Sequence, residues 1–222
     1  RHIFAALMLA HGHGDGLVTG ATRKNAPVLA QIGHVFDVRP QDGAVGITAV
    51  LHRGRIVLIG DTLVHEWPEP EDLADIAARG AAVARNLGLE PRVAFLSFSN
   101  FGYPVSERAI KMAQAATVLD RRGADFEYEG EMTVDVALNM DAAARYPFSR
   151  LTAPANVLVV PARHSASISV KLMQEMAGAT VIGPILTGVA RPIQICSTNS
   201  TVSDILNMAA IAAGGVLSLI HI

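Results

Sequence analysis

The sequence predicts an α/β fold in which mainly parallel sheets are flanked by helices. Three observations lead there. Short apolar runs of strand length alternate with stretches whose apolar residues recur at helical spacing. The connections between them are short, as in strand–helix–strand units. Hydrophobic residues make up 50% of the chain and charged residues only 17%, which suits a layered fold with much doubly buried structure.

The elements follow in order. Residues 1–9 read as the last turns of a helix. Leu17, Val18 and Thr19 form a short strand ending at Gly20. Apolar runs at 45–51 and 55–59 flank His52-Arg53-Gly54 and predict a hairpin, the antiparallel element of the sheet. Pro70 opens a helix, with Glu71 and Asp72 in its first turn, where acids suit the helix dipole. Its apolar face is Leu73, Ile76, Ala77, Gly80, Val83, Ala84 and Leu87, and Gly88 ends it. A buried strand at 93–96 runs into Ser97-Phe98-Ser99-Asn100-Phe101-Gly102. Next come a helix at 105–119 followed by Gly123, a strand at 126–128, a helix at 134–144, a buried strand at 157–160 and a helix at 168–176. Short strands at 181–182 and 193–195 precede a helix at 202–213. The sequence has no internal repeat, low-complexity tract or evident linker.

Length and charge narrow the function. The 222 residues (23.4 kDa) make one large domain or two small ones and can bury a sizeable core. With 18 Lys and Arg against 20 Asp and Glu, the net charge of −2 supplies no basic field for nucleic acid. The composition also excludes disorder. One cysteine, Cys196, excludes an internal disulfide framework and a cysteine-based zinc site, and points to the cytoplasm. The N-terminal segment has no secretory pattern. The longest uncharged run, 205–220, is shorter than the roughly 18–20 residues of a membrane span. Since the chain lacks an initiator Met, it is expected to begin inside a longer protein. Residues 217–222 can be read from CTG TCT CTT ATA CAC ATC, which resembles a transposase adapter, so an adapter-derived tail is expected there, with an ordinary terminal strand as the alternative.

Ligands of open parallel sheets sit beyond the carboxyl ends of the strands. This singles out 20–23, 97–102, 130–135, 161–165 and 197–204. In the second segment, Ser97, Ser99 and Asn100 either hold phosphate or carbonyl oxygens or simply cap a helix. Glu129, Glu131 and Asp135 either bind a metal or act as acid and base, or form a solvated acidic turn opening a helix. His11, His13 and Asp15 are metal-type ligands, with an exposed glycine-rich turn as the simpler reading. Ser197, Thr198, Ser200 and Thr201 form a hydroxyl-rich turn in which Thr201-Val202-Ser203-Asp204 fits a capping box. Asp204 is then either a cap or a base. Cys196 beside it is more often a buried filler than a nucleophile.

Five motifs then occur in a consistent order: Asp15-Gly16-Leu17-Val18-Thr19-Gly20-Ala21; Ala155-Asn156-Val157-Leu158; Ile168 with Lys171; Gly183-Pro184-Ile185-Leu186-Thr187-Gly188 with Pro192; and Val202 with Asp204, Ile205 and Asn207. Over nearly its whole length the chain resembles the phosphate acetyl/butyryl transferase family. The resemblance implies two subdomains within 1–216, in the phosphotransacetylase-like (isocitrate/isopropylmalate dehydrogenase-like) architecture. The departures are specific. Where the family carries Ser-Arg before the final helix, this chain has Ser197-Thr198. Where it carries Thr-Lys, the chain has Asn100-Phe101. The family's arginine-bearing stretch after the first motif is missing, and Arg23 and Lys24 are the nearest basic residues. An acyl-phosphate transferase must hold a dianionic phosphoryl group, which arginines do best.

Other segments are similar to one branch of the family, the transferase-like domain at the C-terminal end of bacterial NADP-dependent malic enzymes. They are Arg92 through Gly102, Glu129-Gly130-Glu131-Met132, Asp61-Thr62, Glu66-Trp67-Pro68-Glu69-Pro70-Glu71-Asp72-Leu73 and Pro161-Ala162-Arg163-His164-Ser165-Ala166-Ser167. This resemblance implies a domain that senses acetyl-CoA and assembles a homo-oligomer, fused behind an upstream malic enzyme domain. The parent would use NADP and Mg2+ or Mn2+. No cofactor, metal site or catalytic residue is expected in the fragment, and neither nucleic acid nor membrane is expected as a partner. The family pattern would place acetyl-CoA in the cleft between subdomains, near Ser99, Asn100, Gly130, Glu131, Gly183, Pro184, Ser197 and Thr198. Two alternatives stand beside it. One is a working phosphate acetyltransferase, with Asp204 drawing the thiol proton and Ser197 orienting the thiolate. The other is a purely structural dimerisation module.

Overall fold

The computed structural model describes residues 1–38 and 43–220, the last five of these as helix backbone only. The chain forms two compact units, Ile47–Val181 and a second made of Arg1–Gly46 with Ile182–Ile222.

The unit assembled from the chain ends contains α1 (His2–Ala10), β1 (Leu17–Gly20), α2 (Asn25–Ile32), β8 (Ile193–Cys196) and α8 (Val202–Ile220). β1 and β8 pair in parallel, with Leu17 opposite Ile193 and Gly20 opposite Cys196. Gly20 has φ +104°, and any Cβ there would run into the Cys196 carbonyl. Only glycine lets the two strands approach this closely. Gln194 is buried in β8, yet its amide is fully used: Nε2 donates to the Leu186 carbonyl at 3.1 Å and Oε1 accepts from the Leu186 N–H at 3.0 Å. The helix α2 follows a stretch with no periodic apolar pattern, and no element is expected there from the sequence. Its buried contacts come from only two residues, Val28 and Ile32.

The larger unit is built on β5-β4-β6-β3-β2: β2 (Val45–His52), β3 (Arg55–Gly60), β4 (Arg92–Leu96), β5 (Glu127–Met132) and β6 (Val157–Val159). β3, β6, β4 and β5 run parallel, and β2 closes the hairpin antiparallel to β3. The helices are α3 (Pro70–Asn86), α4 (Glu107–Arg122), α5 (Val134–Leu138), α6 (Met140–Ala143) and α7 (Arg163–Ala177). Strand side chains alternate between faces. Ala94, Leu96, Leu158 and Val160 pack with Val136 of α5 and with Ala166 and Val170 of α7. The intervening residues face α3: a Cβ on Gly80 would sit 2.6 Å from Val157, and one on Gly60 2.8 Å from Ile76. α3 is therefore seated on the sheet through its glycine.

Several sequence-based boundaries move. α4 starts at Glu107 because Ser106 Oγ accepts from the Ala109 N–H, and Gly123 closes the helix in the left-handed region. The helix expected at 134–144 is two short helices, because Asn139 leaves the helical region and caps the second with its own side chain. α7 begins at Arg163 rather than 168. β5 extends to Met132, and β7 (Thr180–Thr187) is longer than the expected 181–182. Of the suspected tail, residues 217–220 continue the backbone of α8 as helix rather than strand, and 221–222 lie outside the described residues. Among the described residues no helix is long and apolar enough to cross a membrane.

Replacing Gly80 by Val is expected to destabilise the chain by about 1–3 kcal/mol in urea unfolding, because the buried Val157 cannot swing aside. The same substitution at an open helical surface would cost far less.

Candidate functional site

The carboxyl ends of β3, β4, β5 and β6 open onto loops whose polar groups are largely buried. The turn after β4 and the end of β5 meet through Glu131. The ladder between these strands matches Phe95 with Gly130 and Leu96 with Met132, so Glu131 is an extra residue in β5. Such a bulge redirects a side chain. Here it turns the Glu131 carboxylate inward, 2% exposed, where Oε1 accepts from Ser99 Oγ at 3.0 Å and from the Gly102 N–H at 2.6 Å. Ser99 Oγ also lies 3.1 Å from Ser97 Oγ. Asn100 Oδ1 accepts from the Thr133 N–H at 2.8 Å and from its hydroxyl at 3.1 Å. Gly130 has φ +148°, and a Cβ there would meet the Phe95 carbonyl at 2.7 Å.

The structure therefore brings Ser99, Asn100, Gly130 and Glu131 together at the ends of β4 and β5. It corrects two readings. Ser97, Ser99 and Asn100 do not cap α4, whose cap is Ser106. Glu129 and Glu131 are not a solvated turn. Glu129 is buried and accepts from the Arg150 N–H at 3.0 Å and from its Nε at 3.2 Å, while Arg150 also reaches Asp120 at 2.6 Å. Burial by itself would lower the Arg150 pKa, but its hydrogen bonds to Glu129 and Asp120 outweigh that and hold it above the ordinary arginine value. Asp135 stays on the surface at the start of α5, 3.6 Å from Arg145.

A second buried carboxylate organises the loop after β3. Asp61 Oδ1 accepts from the Leu63 N–H at 2.6 Å. Its Oδ2 accepts from the His65 N–H at 2.8 Å and lies 2.7 Å from His65 Nδ1. Both residues are almost fully buried. The loop so held carries Trp67 to the rim of a cavity of about 690 Å³ at the ends of β4 and β6, within the larger unit. Its walls include Trp67, Ser97, Phe98, Arg108, His164 and Ser165. The Arg108 guanidinium lies 5.2 Å from the centre of the indole, and the His164 ring 5.6 Å from it. His164 fell within the strand-end segment 161–165, Trp67 within a segment singled out only by resemblance, and Arg108 lay outside both. The available signals were a lone tryptophan and an Asp–His pair four residues apart just before it.

In the other unit, Gly183 and Pro184 lie half-buried in β7. Ser197 Oγ is 3.2 Å from Ser200 Oγ, and Thr198 Oγ1 donates to Asn199 Oδ1 at 3.4 Å. Asp204 Oδ2 accepts from the Thr201 N–H at 2.7 Å and from its hydroxyl at 2.8 Å, while Thr201 Oγ1 accepts from the Asp204 N–H at 3.2 Å. This is the reciprocal cap read from the sequence. Cys196 is buried, and burial, followed by the negative charge of Asp204, pushes its thiol pKa up. A thiol so placed is a poor nucleophile. His11, His13 and Asp15 lie exposed on the turn after α1, and among the described residues no three metal-type side chains gather.

Two outcomes are expected. Asp61→Ala leaves buried N–H groups and the His65 ring without their acceptor and should cost at least about 2 kcal/mol in urea unfolding. Cys196 should react with iodoacetamide more slowly than a free thiol across about pH 7 to 9, because its raised pKa keeps it protonated. Asp204→Asn, which removes the nearby negative charge, should speed that reaction.

The family model for phosphate acetyl/butaryl transferase matches residues 1–213. An NADP-dependent malic enzyme of Rhizobium meliloti is 50% identical over 213 residues, covering 96% of this chain and 28% of the enzyme. That of Escherichia coli is 34% identical, again over 28% of its length. A phosphate acetyltransferase of Clostridium acetobutylicum is 34% identical over 217 residues and 65% of its length. The chain thus spans under a third of the malic enzymes it matches. Among solved structures, a phosphotransacetylase from Streptococcus pyogenes superposes with a TM-score of 0.87 at 27% identity, covering 98% of this chain and 67% of that one. A 4-hydroxythreonine-4-phosphate dehydrogenase from Klebsiella pneumoniae, at 13% identity and TM-score 0.54, shares the fold alone.

Proposed function

The chain belongs to the phosphate acetyl/butaryl transferase family, and from that premise we propose that it is the acetyl-CoA-sensing, oligomerising domain of an NADP-dependent malic enzyme rather than a transferase. The parent would oxidise malate with NADP⁺ to pyruvate, CO₂ and NADPH at a divalent metal held outside these residues, as Mg2+ or Mn2+, with the upstream malic enzyme domain in the same chain.

One observation supports the non-catalytic reading above the others. The turn that would bear transferase chemistry is bonded to itself. The Ser197 hydroxyl meets Ser200, Thr198 meets Asn199, and the Asp204 carboxylate caps Thr201. Among the described residues no arginine or lysine is hydrogen-bonded or ion-paired to any of them. A dianionic acyl phosphate would find hydroxyls there and no guanidinium bonded into the turn to neutralise it.

In the larger unit the binding role draws on Ser99, Asn100, Gly130 and Glu131; Gly183, Pro184, Ser197 and Thr198 are candidates within the other unit taken by itself. Hydroxyls, amides and glycine backbone suit the amide-rich arm of a CoA thioester. Acetyl-CoA then regulates by binding one state of the enzyme better than another. Oligomerisation is supported by α7, where Ile168, Leu172 and Met176 stand exposed at spacings of four on one side of the helix.

Calorimetry with acetyl-CoA tests the reading, alongside an assay for acetyl transfer from acetyl phosphate to CoA. Saturable heat without transfer is the expected result. Transfer that survives Thr198→Ala but is lost in Asp204→Ala would instead establish the transferase. Absence of any CoA binding would leave a structural module.

A further inference from the structure

The cavity at the ends of β4 and β6 has a chemistry that the family reading leaves unused. Its volume of about 690 Å³ falls in the range of small-molecule sites. Trp67 is the only tryptophan of the chain and is 59% exposed on its wall. A large flat ring in a concavity, not buried in a core, is stacking surface for another flat ring. Arg108 holds its guanidinium over that ring at 5.2 Å. Among the described residues no carboxylate lies within ion-pair distance of it, whereas its neighbours are committed, Lys111 to Glu69 at 2.7 Å and Arg163 to Glu66 at 3.5 Å. Arg108 can therefore leave the indole for an anion without breaking a salt bridge. Glu107 is the one carboxylate of the described lining, against Arg108, Lys111 and His164. The wall also holds the first turns of α7, with the Ser165 and Ser169 hydroxyls. The residue before that helix is Ala162, which has no side-chain acceptor for the free N–H groups of the first turn.

We propose that this cavity binds a nucleoside diphosphate group. The base stacks on Trp67 beside His164, and the phosphates are held by Arg108, Ser165 and the first turn of α7. Two sources offer this group, a free nucleotide and the nucleotide head of a CoA thioester. The inference does not require acetyl-CoA to be the effector.

Trp67 is its own reporter. Its fluorescence in the full 222-residue chain is titrated separately with ADP and with acetyl-CoA, and repeated in Arg108→Gln. The Arg108 side chain is exposed, so its loss spares the core. Saturable quenching that weakens by about tenfold or more in Arg108→Gln, equivalent to 1.4 kcal/mol, is expected. Quenching by ADP shows that a free nucleotide suffices. Quenching by acetyl-CoA alone assigns the cavity to the CoA head. Either supports the site. No saturable quenching by either ligand, or quenching indifferent to both Arg108→Gln and His164→Ala, overturns it. If calorimetry finds acetyl-CoA bound while neither acetyl-CoA nor ADP changes Trp67 emission, the cavity proposal fails and the effector reading stands. If ADP quenches and acetyl-CoA does not bind, the reverse holds.

Discussion

Parallel strands deliver all their carboxyl ends to one edge, and the backbone leaving that edge must find hydrogen-bond partners without a neighbouring strand. In the larger unit, buried carboxylates supply them. Asp61 gathers the N–H groups of the loop after β3, and Glu131 gathers Ser99 and Gly102 from the turn after β4. Glu129 does the same for Arg150. An ionised carboxylate accepting N–H groups in a low-dielectric setting is a strong, directional clamp. The loops that could meet a ligand are tied down by these bonds. Trp67 reaches the cavity rim because Asp61 and His65 hold the segment before it.

The same economy runs through the polar groups of this chain. Its acidic and hydroxyl groups are occupied in holding the backbone. Several of its arginines pair with surface acids, as Arg122 does with Asp75 and Arg145 with Asp135. Arg108 departs from that pattern by resting on an indole. The turn before α8 carries hydroxyls, with Thr198 beside Ser197, and these groups bond to one another.

Much of the fold was legible because periodicity and punctuation agree. Pro70, Gly88 and Gly123 bound helices whose apolar faces recur regularly, and His52-Arg53-Gly54 marks the hairpin. The failures have physical causes. Asn139 breaks a continuous apolar pattern through its own capping bond, which composition does not show. α2 buries too little to leave a periodic trace. The site was legible in part. Ser99, Asn100, Gly130 and Glu131 were placed by motif, and the Thr201–Asp204 cap was read from spacing. The burial of Glu131 was not legible, because it depends on one unmatched residue in a ladder. Nor was the cavity, whose walls come from α3, α4, α7 and two strands distant in sequence.

The bulge at Glu131 also governs how this domain can change length over time. Side chains alternate strictly along a strand, so one residue more or fewer exchanges the faces of everything beyond it. Leu96 and Met132 now point into the same core. Losing Glu131 itself would keep Leu96 opposite Met132 in a simple ladder, but leave no carboxylate to gather Ser99 and Gly102; losing a paired residue such as Tyr128 would instead shift the register of β5. Elsewhere in the chain, a one-residue deletion in an exposed irregular turn such as 11–16 only shortens a loop. At the end of β5 it would cost either a buried acceptor or the register of the strand. Descent with insertions and deletions is therefore expected to spare this short stretch while such turns drift freely.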